Sequence, residues 1–142
     1  MKDSRKPLIL LADDDPLVLN VLHRQCTNWV RQLFGRDADS VRIQKFLAPS
    51  EASLASIRYS EKEFSSVMVV SDGDMPSLDG PAFIRSVSHV FRERLRSVVI
   101  YSGTLHEYAE DMRREGWKGI LKPDQNHELR TLVSEYLSSL KV

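Results

Sequence analysis

The run Pro7-Leu8-Ile9-Leu10-Leu11-Ala12-Asp13-Asp14-Asp15-Pro16 decides how the chain is read. A continuous apolar stretch bounded by polar residues suits a parallel strand covered on both faces. A counterpart follows further along, where Val67-Met68-Val69-Val70-Ser71 leads into Asp72-Gly73-Asp74-Met75-Pro76. Acidic clusters at the ends of two buried strands put several negative charges into one small space. Like charges at close range are costly unless a cation neutralises them. The pattern predicts a metal site at strand ends.

Outward from these runs the chain alternates. Asp15-Pro16 opens a helix, with the acid as cap and proline in the first turn. Val18, Val21, Leu22, Cys26 (or Gln25), Trp29, Val30 and Leu33 form its expected apolar stripe, and Gly35 ends it. Val41–Phe46 alternates as a half-covered edge strand would, and Pro49-Ser50-Glu51 opens a short helix carrying Leu54 and Ile57. After the strand Val67–Ser71, Gly80-Pro81 opens a helix with Phe83, Ile84, Val87, Val90 and Phe91 inward. A fourth strand spans Ser97–Tyr101, a fourth helix His106–Glu115, a short fifth strand Gly119–Leu121 and a last helix Asn126–Leu140. Five strands alternating with five helices predict an α/β fold: a doubly wound parallel sheet with helices on both faces, as one domain over residues 1–142.

Composition sets bounds. The chain has 142 residues, 42% of them hydrophobic, enough for one core. Lys plus Arg and Asp plus Glu both number 20, so no charge excess favours nucleic acid or a membrane surface as partner. The lone Cys26 excludes a disulfide within the chain and fits a reducing compartment, so a cytoplasmic location is expected. No apolar run approaches the roughly 20 residues that span a bilayer. His23, His89, His106 and His127 show no ligand spacing.

In doubly wound sheets, ligands sit beyond the carboxyl ends of the strands at the topological switch point. Asp13 and Asp14 follow the first strand, Asp72 and Asp74 the third, Ser102 the fourth and Lys122 the fifth. Hard oxygen ligands suit Mg²⁺, which keeps waters and leaves positions for phosphate oxygens. Lys122 offers a point charge for phosphate and Ser102 a donor. Asp72 is placed to attack phosphorus and form an aspartyl phosphate.

This ordered set resembles the receiver domains of bacterial two-component response regulators along essentially the whole chain. The resemblance rests on the acidic pair Asp13 and Asp14, on Asp72 followed by Pro76 and Gly80, on Ser102, and on Lys122-Pro123. It implies the flavodoxin-like form of the sheet and a phosphoacceptor at Asp72. It also implies Mg²⁺ held by the side chains of Asp14 and Asp72, by Asp13 through water and by the Asp74 carbonyl. A cis bond before Pro123 belongs to the same pattern. The implied partners are a sensor histidine kinase or phosphotransfer protein as donor and a downstream protein as receiver of the signal. A homodimer through the helix 4–strand 5–helix 5 face is a further expectation. No turnover enzyme is implied.

The sequence departs from the family pattern at several points. Gly119 stands where receivers carry a Phe or Tyr three residues before the lysine, and Gly73 replaces an apolar residue after the acceptor. Asp74 and Thr104 occupy the positions that tune phosphoryl lifetime. Tyr108 and Trp117 are candidate exposed recognition residues. Asp72-Gly73-Asp74, Ser102-Gly103 and Lys122 also resemble haloacid-dehalogenase phosphatases, although there the acidic pair follows the lysine. A receiver fold acting unphosphorylated as an adaptor is the third reading.

Overall fold

In the computed structural model, which describes residues 4–122 and 127–140, the strands are β1 (Lys6–Asp13), β2 (Arg42–Leu47), β3 (Phe64–Ser71), β4 (Leu95–Ser102) and β5 (Lys118–Leu121). Between and after them lie α1 (Pro16–Phe34), α2 (Glu51–Ser60), α3 (Gly80–Phe91), α4 (Ala109–Glu115) and α5 (His127–Ser139). The strands pair in parallel in the order β2-β1-β3-β4-β5. This is the flavodoxin-like arrangement, and the order reverses between β1 and β3. These two central strands are flanked on both sides, which is why their residues read as unbroken apolar runs.

Alternate residues feed two apolar layers. Ile9, Leu11, Met68 and Val70 pack with Leu22, Cys26 and Val30 of α1 and with Leu129, Val133 and Leu137 of α5. Leu8, Leu10, Val67 and Val69 pack instead with Leu54 and Ile57 of α2 and Phe83, Ile84 and Val87 of α3. Burial pushes the Cys26 thiol up to about 12, so this cysteine is an inert core residue.

The expected elements are all present, with corrections in phase and boundary. The buried stripe of α1 runs through Leu19, Leu22, Cys26, Trp29 and Val30, whereas Val21 is exposed. Val21 lies about 100° around the helix from Leu22, and the cluster Leu17-Val18-Leu19 left the phase ambiguous. Asp15 does cap α1, its side chain accepting from Leu17 N at 2.9 Å. Strand β2 is covered from both sides rather than one, since Ile43 packs in one layer and Phe46 in the other. The expected fourth helix divides: a 3₁₀ turn at Leu105–Tyr108 precedes α4. Tighter winding lines up residues three apart, so Leu105 and Tyr108 both face the apolar layer. The bond before Pro123 and the Asn126 start of α5 lie outside the described residues.

Helix α3 is pressed unusually close to the end of β3. Gly80 N–H donates to the Gly73 carbonyl at 2.8 Å, and a Cβ on Gly80 would fall 2.8 Å from Gly73 Cα and nearer still to the Asp72 carbonyl. Gly80→Ala is therefore expected to destabilise the fold by about 1–3 kcal/mol in denaturant titration. Gly103→Ala, with nothing within 4 Å of the added carbon, serves as a control expected within about 0.5 kcal/mol of the parent. Equal stability of the two variants would refute this account of the close approach.

Candidate functional site

Strand register sets the site. Ala12 pairs with Ser71, so Asp13 at the end of β1 and Asp72 just past β3 arrive at one level. Asp72 N–H donates to the Ala12 carbonyl at 2.8 Å, and Ala48 N–H to the Asp13 carbonyl at 2.8 Å, fixing both strand ends. On the far side, Ser102 pairs with Leu121, and Lys122 N–H donates to the Ser102 carbonyl at 3.0 Å. These backbone bonds bring residues from four strands to one rim.

Oxygen atoms of Asp13, Asp14 and Asp72 lie within 4.8 Å of one another, a spacing that fits shared coordination of a cation. Asp13 is fully buried and Asp72 is 7% exposed, while Asp14 is open to solvent. The Lys122 ammonium bridges the buried pair, 2.7 Å from Asp13 Oδ2 and 3.3 Å from Asp72 Oδ1. The other oxygen of Asp13 accepts from Asp15 N–H at 2.9 Å. Asp13 is thus doubly satisfied within the protein, and Asp14 and Asp72 present the freer oxygens.

Charge and burial act in opposite directions here. Burial raises Asp72, opposed by the charge of Lys122 and reinforced by that of Asp13, so its carboxyl is pushed up to about 6. Burial alone would lower Lys122, but the hydrogen bond and charge of Asp13, with the charge of Asp72, outweigh it and hold the ammonium above its ordinary value. The site keeps its cation while one of its carboxylates is only loosely ionised.

Ser102 is buried, and its Oγ accepts from Thr104 N–H at 3.1 Å and lies 3.3 Å from Thr104 Oγ1. Asp74 is exposed and falls outside the three-carboxylate group among the described residues.

Further residues surround the site, and of these Tyr101 carried no signal in the sequence. Tyr101 lies beneath Lys122, its ring centre 5.4 Å from the ammonium, a cation–π shelf. Thr104 holds the Ser102 hydroxyl. Tyr108 and Trp117 are half-buried against the core rather than exposed, and the Tyr108 ring lies against Gly73. Burial raises the Tyr108 hydroxyl, helped by the charges of Asp74, Glu107, Asp72 and Asp79. Gly73, in a position expected to be apolar, was the one sequence signal of that contact.

Because the native Asp72 value of about 6 exceeds its ordinary 3.8, ionising it opposes folding, and stability falls as pH rises through that window. Asp72→Asn removes the penalty. In metal-free buffer above neutral pH the variant is expected to gain on the order of 1 kcal/mol, after allowance for partial solvent screening. The gain should fade toward acidic pH in thermal or denaturant unfolding. A gain independent of pH would rule out Asp72 titration as its source.

No family model and no curated protein matches this sequence. Solved structures do match it. A response regulator receiver protein from Pseudomonas putida superposes with a TM-score of 0.67 at 21% identity, covering 94% of this chain and 99% of its own. A response regulator receiver domain from Clostridium thermocellum gives 0.66 at 17% identity, covering 95% and 97%. The receiver domain of a sensor histidine kinase from Pseudomonas aeruginosa PAO1, described with a magnesium ion in its active site cleft, gives 0.64 at 18% identity, covering 94% and 98%. The chain has the receiver-domain fold.

Proposed function

We propose that this chain is a phosphoacceptor receiver domain in a two-component phosphorelay, taking a phosphoryl group on Asp72. The observation that carries this reading is the Lys122 bridge between Asp13 and Asp72 inside a group of three carboxylates. The bridge brings an ammonium from the opposite end of the chain to the two strand ends, where it would also meet a phosphoryl group carried on Asp72.

Asp13, Asp14 and Asp72 would hold Mg²⁺, with the Asp74 carbonyl as a further ligand. The similar Pseudomonas aeruginosa receiver domain is described with that ion in its cleft. When bound, Mg²⁺ supplies positive charge that offsets the carboxylates and the phosphoryl oxygens. Everything else falls to the chain itself. An oxygen of ionised Asp72 attacks the donor phosphorus; the new O–P bond forms as the donor's P–N or P–O bond breaks, and the leaving group keeps the electron pair. Lys122, already 3.3 Å from Asp72, stabilises charge on the transferred group. Ser102 would donate its hydroxyl proton to a phosphoryl oxygen in place of its resting bonds to Thr104.

A histidine kinase or phosphotransfer protein is the proposed donor, and the face of α4, β5 and α5 the proposed contact with a downstream protein or a second copy. No helix among the described residues is long and apolar enough to cross a bilayer. The phosphatase alternative gains nothing from Asp74, which is exposed and outside the carboxylate group.

Incubation with acetyl phosphate and Mg²⁺, followed by intact mass, is expected to give a single phosphate adduct that is absent in Asp72→Asn. Lys122→Ala should slow its formation roughly tenfold or more. Full labelling of Asp72→Asn, or no adduct with acetyl phosphate or a panel of histidine kinases, would overturn the reading, the second result favouring an adaptor. Separately, Mg²⁺ should raise the thermal midpoint of the parent chain, with the effect lost on chelation and in Asp14→Asn.

A further inference from the structure

The backbone of the acceptor is clamped between two glycine contacts. On one side, Gly80 brings the start of α3 against the Asp72 carbonyl. On the other, a Cβ at Gly73 would fall 2.8 Å from the Tyr108 hydroxyl and closer to two ring carbons, so the ring occupies the space a side chain at 73 would need. Tyr108 closes the 3₁₀ turn Leu105–Tyr108. That turn is joined to Thr104 by a bond from Glu107 N–H to the Thr104 carbonyl at 3.0 Å, and Thr104 in turn holds the Ser102 hydroxyl. At the opposite side of the turn, Leu105 and Met112 fill the notch left by Gly119, where an added Cβ would fall 2.8 Å from Leu105 Cδ1 and nearer to Met112 Sδ.

We infer that Tyr108 is a positioning residue for phosphoryl entry: its ring, seated on Gly73, holds the Thr104–Tyr108 segment and the Ser102 hydroxyl in the arrangement that precedes transfer. This rests on the phosphoacceptor reading above. For Ser102 to engage a phosphoryl oxygen it must loosen its bonds to Thr104, and Thr104 leads directly into the turn. The turn is pinned at both sides, by Tyr108 on Gly73 and by Leu105 against Gly119. The ring contact therefore favours the resting arrangement over the engaged one, and phosphorylation works against it. When the ring lifts, Leu105 and Met112 shift against β5, so the state of Asp72 reaches that strand without an aromatic at position 119. Gly73 and Gly119, two apparent departures, are the two seats of one moving segment.

The test uses the full chain with acetyl phosphate and Mg²⁺, following transfer of phosphoryl to Asp72 as acetate leaves. Tyr108→Ala is expected to speed adduct formation about fivefold. Tyr108→Phe, which keeps the ring, should match the parent. Gly73→Ala should reproduce the acceleration, because its methyl group displaces the ring, and the double variant should be no faster than either single one. Hydrogen exchange without donor supplies a second readout: amides of Leu105–Glu115 should exchange faster in Tyr108→Ala and Gly73→Ala than in the parent or Tyr108→Phe. Tyr108→Leu replaces the alanine variant if that one does not fold. Unchanged or slower labelling in both ring-displacing variants, or strictly additive effects, would overturn the inference while an adduct on the parent keeps the phosphoacceptor reading intact. No adduct on the parent would instead overturn that reading, and this inference with it.

Discussion

Buried negative charge is the constraint on which the rest of the site depends. Asp13 is wholly removed from solvent and Asp72 nearly so, and two such carboxylates side by side are tolerable only with a cation between them. Lys122 meets that need unevenly. It sits nearer to Asp13 than to Asp72, and Asp13 also takes the Asp15 amide, so the deficit of stabilisation falls on Asp72. A group with strong unmet demand for positive charge, reachable from the rim, is suited to gather a metal and a phosphoryl group together. The strand register and the Tyr101 shelf place that imbalance where a ligand can reach it.

Much of this was legible in the residues. β1 and β3 announced themselves because central parallel strands must be apolar on both faces, and their acidic ends followed directly. The convergence of Asp13, Asp14, Asp72, Ser102 and Lys122 followed from doubly wound topology, which sends every strand's carboxyl end to one rim. What failed has a physical cause in each case. The phase of α1 slipped because Leu17, Val18 and Leu19 are all apolar, so periodicity near Pro16 is weak. The turn at Leu105–Tyr108 read as ordinary helix because 3.0 and 3.6 residues per turn cannot be told apart over four residues. The contact of Tyr108 with Gly73 joins two loops, where no periodic pattern exists to betray it.

The same logic explains how a fold persists at 17–21% identity to the three receiver structures described above. Apolar strand residues are interchangeable as long as volume and alternation hold. The glycines are different. Gly80 and Gly73 are set by close approach of other atoms, and neither tolerates even a methyl group without movement of a neighbour. They mark the places where this particular chain has committed to one local geometry.

The Asp13–Lys122 bond also links residues 109 positions apart, from the first strand to the end of the last. Closing a loop of that length carries an entropy cost that the packing of the sheet must offset before the bond can form. A chain in which β5 is not yet seated would therefore carry these carboxylates without their ammonium, and their uncompensated negative charge would repel an anionic phosphate donor. The bridged charge pattern is a property of the finished sheet alone. The bond makes the site its own proofreading step, since a chain that has not seated β5 cannot assemble the charge pattern on which the site depends.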